Sequence, residues 1–124
     1  MVHLADRPLL ESLHASAEEV APDVSELARL GLDTRPSLRV APPRLVEAPV
    51  ALECRLNREL ELGPTSTLVL LDVLVAHAAD RIYDETLDCA DASRWQPVSR
   101  LASVAGPNYG VLGETLRLGE PKLP

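Results

Sequence analysis

The chain has 124 residues, of which 46% are hydrophobic, and this suits one small globular domain. Its net charge of −7 and its scattered basic residues argue against a nucleic-acid partner, which needs clustered Lys and Arg. No apolar run is long enough for a signal sequence or a membrane span, so we expect a cytoplasmic protein that does not enter a membrane.

The N-terminal third predicts one short strand and two short helices. Residues 1–4 have the pattern of a strand end, and Asp6 is placed to cap a helix rich in leucine. A second helix is expected to start at Asp23, where Glu26 completes a capping box, and to end at Gly31. Residues 33–49 contain four prolines and predict an extended connection or an edge segment.

Two long strands form the strongest local signal. Residues 50–62 alternate between apolar and polar side chains, which predicts one dry face carrying Leu52 and Cys54 and one wet face. Gly63 and Pro64 predict a turn into a second strand, residues 67–79. In this second strand the odd-numbered and the even-numbered residues are both mostly apolar. Both of its faces should therefore be covered, one by a barrel core and the other by a helix or a second subunit.

Several polar residues in or near this hairpin allow more than one interpretation. Asp72 interrupts an apolar run, and Arg55 or Arg58 on the partner strand is placed to pair with it. His77, near the end of the second strand, is either a donor at the rim of a pocket or a histidine bonded to a neighbour. The two cysteines are expected to be free thiols, with Cys54 packed as a small apolar side chain.

The C-terminal part is more polar and ends in a last strand over residues 109–118, followed by a loose tail at 119–124. Arg100 and Tyr109 flank a run of small residues that includes Gly106. An arginine beside such a turn either holds an anion, such as a flavin phosphate, or anchors a loop. The sequence contains no phosphate-binding loop, no dinucleotide fingerprint and no metal-ligand spacing, so no metal site is predicted and no catalytic residue is identified.

Several segments, taken in order, resemble the flavin reductase-like family of FMN-binding split barrels. Residues 2–6 resemble the family's VVNLA strand, and residues 39–54 are close to its VxPPRxxESPVALEC segment. Residues 68–73 resemble LVLGEV, with His77 at the histidine that often follows. Residues 96–101 and 106–109 resemble PVxRLGGxxY. The similarity extends over nearly the whole chain.

The resemblance implies a mainly β (α+β) protein, an antiparallel split β-barrel with short helices that is incomplete here, because the family has further strands before the VVNLA segment. Residues 1–124 would then form a single partial domain. The resemblance also implies a homodimer that binds FMN and reduces it with NADH or NADPH, and some members pass reduced flavin to a partner monooxygenase. The resemblance also implies that Arg100, Gly106 and Tyr109, which match motif positions, lie near the cofactor or the dimer interface, and His77 matches a looser position.

A second hypothesis is a non-catalytic remnant of such a protein. In that case the chain would be a small dimerising β-domain that kept its packing surfaces and lost the flavin. Retention of FMN by the purified chain distinguishes the two hypotheses.

Overall fold

The computed structural model describes residues 1–86, 88–91, 93–100 and 108–113. This part of the chain contains nine strands and two α-helices, and both helices lie between the first and second strands. The helices are α1 (Leu10–Ala15), preceded by a 3-10 turn at Arg7–Leu9, and α2 (Glu26–Leu30); another 3-10 turn spans Asp80–Ile82. The strands are β1 (Val2–Leu4), β2 (Thr34–Arg35), β3 (Arg44–Leu45), β4 (Val50–Gly63), β5 (Ser66–Ala78), β6 (Tyr83–Asp84), β7 (Cys89–Ala90), β8 (Val98–Arg100) and β9 (Tyr109–Val111).

A three-stranded antiparallel sheet in the order β1–β4–β5 forms the centre of the protein. The other strands pair as the short antiparallel ribbons β2–β3, β6–β7 and β8–β9. The sheet does not close into a barrel within the described residues. The predicted strand at the N-terminus, the predicted hairpin and the extended connection over residues 33–49 are therefore confirmed.

The β4–β5 hairpin contains three register shifts, located at Glu53/Cys54, at Leu56/Arg58 and at Glu61/Gly63. An extra residue on one strand of a pair bends that strand and increases its twist. In the outer part of the hairpin, Arg55 donates to Asp72 across the two strands at 3.1 Å, which confirms the first of the two predicted pairings. Hydrogen bonds from Asn57 and Arg55 lower the pKa of Asp72.

The predicted dry face of β4 is wrong in its first half. Ala51 and Glu53, on the side expected to be wet, are buried, whereas Leu52 and Cys54 are only half-buried and Leu56 is exposed. The reason is tertiary, because the proline-rich connection packs against the Ala51–Glu53 side and supplies hydrogen bonds there. Both cysteines, Cys54 and Cys89, are free thiols.

The apolar side chains of β5 remain open on both faces. Within the described part of the chain, the exposed fractions of its leucines and valines from residue 68 to 74 lie between 40% and 55%; the side chains are Leu68, Val69, Leu70, Leu71, Val73 and Leu74. The coverage predicted for this strand is therefore not provided by the described residues. A continuous apolar surface of this kind marks a position where another surface packs.

The helix starts differ from the predicted ones. Asp6 does not cap the first helix; its buried carboxylate accepts a hydrogen bond from Arg81 at 2.6 Å instead. In α2 the cap is Ser25, whose hydroxyl accepts from the backbone amide of Ala28, so the capping box predicted at Asp23 is wrong. The predicted end of α2 at Gly31 is correct, with φ of 63° in the left-handed region.

Replacement of Gly31 by alanine should destabilise the protein by about 1 kcal/mol, because a residue with a Cβ is strained in the left-handed region. No atom lies within 4 Å of the added Cβ, so backbone strain is the sole expected cost. Gly113→Ala is the control, since it also has open space around the Cβ but has no positive φ. Urea unfolding should show a loss for Gly31→Ala and little change for Gly113→Ala; equal losses would contradict the assignment.

Candidate functional site

A buried carboxylate links three parts of the chain next to a cavity. The Glu53 side chain has an exposed fraction of 0%. It accepts hydrogen bonds from the backbone amides of Leu38 and Arg39 at 2.8 Å and 2.6 Å. The His77 Nε2 atom lies 2.7 Å from Glu53 Oε1 and donates to it, since an ionised carboxylate only accepts. The network joins β4, β5 and the connection between β2 and β3.

These contacts keep Glu53 ionised. Burial alone raises the pKa of this carboxyl, because it removes water from the charged form. The hydrogen bonds from Leu38, His77 and Arg39 outweigh burial and lower the pKa of Glu53 from 4.5 to about 2. The negatively charged carboxylate of Glu53 therefore lies next to the imidazole of His77, and three donors contact its oxygens.

A cavity of about 420 Å³ lies beside His77. Its wall combines the β2–β3 ribbon, the start of β4 and the end of β5 with the 3-10 turn that follows. Three arginines and His77 contribute to this wall; the arginines are Arg35, Arg44 and Arg81. This volume lies in the range of small-molecule sites, and the basic lining favours an anionic group.

A second cavity, of about 300 Å³, is mainly apolar and lies between the two helices and the β2–β3 ribbon. His3 stands at its edge, and its Nε2 atom accepts a hydrogen bond from the backbone amide of Leu45 at 3.0 Å. Burial lowers the pKa of His3, and the positive N-terminus of Met1 lowers it further. The remaining wall consists largely of leucines: Leu9, Leu13, Leu27, Leu30, Leu32 and Leu45.

Arg100 and Tyr109 are opposite each other in the β8–β9 ribbon. The Tyr109 hydroxyl lies 3.1 Å from His14 Nδ1, and the two rings meet edge to face with centroids 5.8 Å apart. A shallow cavity of about 300 Å³ lies between Tyr109 and α1. Arg100 is exposed.

The four predicted cofactor residues therefore fall into two groups. Arg100 and Tyr109 come together as cross-strand neighbours, whereas His77 lines the arginine-lined cavity instead. Gly106 lies outside the described residues, as do residues 114–118 of the predicted last strand and the tail at 119–124. His77 is bonded to a neighbour, Glu53, as the second interpretation of its position predicts, and it also borders a cavity.

Four participants in these sites are not indicated by the sequence. Glu53 falls on the predicted wet face of residues 50–62, the sequence shows no partner for His14, and Arg35 and Arg44 are among the scattered basic residues. The one available signal was the position of Glu53 in an otherwise apolar stretch directly after the proline-rich connection.

Comparison with curated proteins relates the chain to proteins without an assigned activity. No family model matches it. It is 31% identical over 126 residues to the uncharacterized protein YwrF of Bacillus subtilis, and 30% identical over 128 residues to an uncharacterized protein of Halalkalibacterium halodurans. These alignments include 98% and 99% of this chain but 60% and 59% of the two relatives. The chain thus spans less than two thirds of the length of the curated relatives it matches.

Solved structures identify the fold. The 2-nitrobenzoate 2-nitroreductase of Pseudomonas fluorescens superposes on 99% of the chain with a TM-score of 0.80 and 27% identity, using 60% of its own length. Component B of nitrilotriacetate monooxygenase from Bacillus cereus superposes on 94% with a TM-score of 0.81 and 30% identity, using 58% of its length. The flavoredoxin of Desulfovibrio vulgaris, at 20% identity and a TM-score of 0.79, supports the fold alone.

The chain has the fold of the flavin reductase-like split barrels. The resemblance predicted from its sequence segments is confirmed, as is the mainly antiparallel β-architecture with few short helices. Among the described residues of this split-barrel chain, no helix is long and apolar enough to cross a membrane.

The pKa of Glu53 predicts how stability depends on pH. Because the folded pKa of about 2 lies below the ordinary value of 4.5, the charged carboxylate stabilises the fold fully above pH 4.5. This contribution is lost as the pH falls toward 2. Glu53→Gln should be less stable near neutral pH and should lose this part of the acid dependence. Urea unfolding of both proteins across this range measures the difference.

The matched control is Glu61→Gln, which removes an exposed charge from the outer part of β4 and leaves the three donors to Glu53 in place. If the parent and Glu53→Gln lost stability in parallel on acidification, the buried carboxylate would not be the group responsible.

Proposed function

We propose that the chain belongs to an FMN-binding protein of the flavin reductase-like type, in which NADH or NADPH reduces the flavin. The observation that supports this proposal most strongly is the superposition of nearly the whole chain on a nitroreductase and on a monooxygenase component B at 27% and 30% identity. Since the chain corresponds to about 60% of those proteins, the activity is proposed for the complete flavoprotein.

The described residues fit a flavin in two respects. The leucine-lined cavity offers an apolar surface for a ring system. Its wall is aliphatic, which suits a chain whose aromatic residues are Trp95, Tyr83 and Tyr109. Basic groups suited to a phosphate are present in Arg100 and in the arginine-lined cavity. When bound, the flavin would supply hydride acceptance and onward electron transfer, while the protein binds and orients it and excludes water.

The roles proposed for individual side chains follow from their positions. Arg100 would contact the flavin or a facing subunit from the exposed side of β8, and Tyr109, held by His14, would present a fixed ring beside it. Gly106 is included by resemblance alone. His77, whose Nε2 proton is directed to Glu53, presents its Nδ1 edge as the remaining polar atom of its ring.

The name of the Bacillus cereus protein, component B of a monooxygenase, supports a monooxygenase as the acceptor of reduced flavin. We propose such a partner for this chain too, in the cytoplasm, where reduced nicotinamide cofactors are available and free thiols such as Cys89 persist.

Flavin retention tests the proposal. The purified chain mixed with FMN and passed over a desalting column should keep the yellow absorbance and quench flavin fluorescence. Arg100→Gln should weaken FMN binding about tenfold, which corresponds to the loss of one charge-assisted hydrogen bond. Arg58→Gln, an exposed change in the outer hairpin, is the control. Complete loss of FMN from the unmodified chain would contradict the proposal for this part of the protein.

A second candidate is a dimerising β-domain without flavin, and the open faces of β5 favour it. A second copy that packs on the hairpin would remove a continuous apolar surface from water, which is favourable at roughly 25 cal/mol per Å². Both candidate functions include a homodimer, and the second differs from the first because it binds no cofactor.

Light scattering should therefore give the mass of a dimer at micromolar concentration. Leu70→Asp and Leu71→Asp place a charge on opposite faces of β5, because successive residues of a strand point to opposite sides. If one face of β5 forms the dimer interface, the variant with its charge on that face should be a monomer. The variant with its charge on the other face should remain a dimer. A monomeric parent chain would exclude a homodimer built on this hairpin.

A further inference from the structure

Two arginines are direct partners across the smallest ribbon of the fold. In the β2–β3 pair, Arg35 is in register with Arg44. Side chains directly opposite each other on neighbouring strands lie on the same side of the ladder, and like charges in this position repel. Both arginines line the 420 Å³ cavity beside His77. The ribbon has one other paired position, Thr34 with Leu45. This short ribbon therefore holds two cations next to each other.

A third arginine lines the same cavity. Arg81, in the 3-10 turn after β5, also lines the cavity. Its position is fixed, because the buried Asp6 carboxylate accepts from Arg81 Nη2 at 2.6 Å. The lining includes one carboxylate, Asp80. Arg81 is therefore paired with Asp6, whereas the lining of the cavity gives Arg35 and Arg44 one carboxylate, Asp80.

This concentration of positive charge runs against the average field of the protein. The Arg35 and Arg44 guanidinium groups repel each other, and an anion bound between them would relieve this repulsion. Guanidinium groups bind phosphate oxygens in a planar, two-pronged geometry, so three of them suit an anion with several oxygens and more than one charge.

We propose that the cavity bounded by Arg35, Arg44 and Arg81 is a binding site for a phosphate group. Its position at the Glu53–His77 network gives it a rigid floor, because Glu53 attaches the connection between β2 and β3 to the sheet through the amides of Leu38 and Arg39. The site stands on these residues alone and does not depend on flavin binding. The phosphate is either the free ion or part of a larger ligand, a flavin mononucleotide or a nicotinamide dinucleotide.

Titration with inorganic phosphate tests the site directly. The unmodified chain is titrated by calorimetry with sodium phosphate and, at the same ionic strength, with sodium chloride. Phosphate should bind, and Arg35→Gln and Arg44→Gln should each weaken it about tenfold, since a hydrogen bond to a charged group contributes about 1.5–3 kcal/mol. Arg58→Gln, which removes the same charge from the outer hairpin, should bind phosphate as the parent does.

Arg35→Lys separates the two contributions of the guanidinium. Lysine keeps the charge and loses the two-pronged geometry, so its affinity should lie between those of the parent and Arg35→Gln. Circular dichroism confirms that each variant is folded, and Arg35 is the preferred site because its exposed side chain contributes little to packing. Phosphate binding no tighter than chloride, or an equal loss in Arg58→Gln, would overturn the proposal.

Competition identifies the source of the phosphate. Displacement of inorganic phosphate by FMN and not by riboflavin assigns the site to the flavin phosphate. Displacement by NADPH and not by NADH assigns it to the 2′-phosphate of the dinucleotide, and displacement by neither supports a site for the free ion. Phosphate binding without FMN retention would support this site and contradict the proposed function. FMN retention without phosphate binding would support the proposed function and contradict this site.

Discussion

The fold depends on one buried carboxylate that must be surrounded by donors. An ionised Glu53 with no contact to water is unfavourable unless each oxygen is hydrogen-bonded, and it obtains its donors from two backbone amides and one imidazole. Two of these donors belong to the proline-rich connection, which has little other regular structure. The need to satisfy Glu53 therefore fixes how that connection crosses the sheet, and with it the positions of Arg35 and Arg44 at the cavity.

The hairpin could be predicted because its information is local. Alternating polarity over residues 50–62, the Gly63–Pro64 turn and the apolar run that follows determine two antiparallel strands without reference to the rest of the chain. The assignment of faces failed because residue polarity does not show which side meets another element. Glu53 is the most polar residue of its stretch and among the most buried, a combination that only the donors of a distant segment allow.

The candidate cofactor residues came from a resemblance and not from local sequence patterns. The order of the sequence segments led to the split-barrel fold and to Arg100, Tyr109 and His77, but the resemblance gave no information about which of these residues share a cavity. The pairing of Arg35 with Arg44 depends on how residues 36–43 return the chain on itself. The link between Asp6 and Arg81 joins residues 75 positions apart, where the local cap signal at Asp6 suggested a different partner.

The connectivity of the central sheet has a consequence for the order in which the protein folds. Gly63 pairs with Ser66, so β4 and β5 can pair progressively from their turn after a very short loop closes. The pairing of Val2 with Leu52 requires the closure of a much longer loop. Loop-closure entropy favours the short loop, and contacts between distant residues form later. The hairpin is thus expected to assemble first, and Glu53 stays hydrated until the docking of the connection completes the native state.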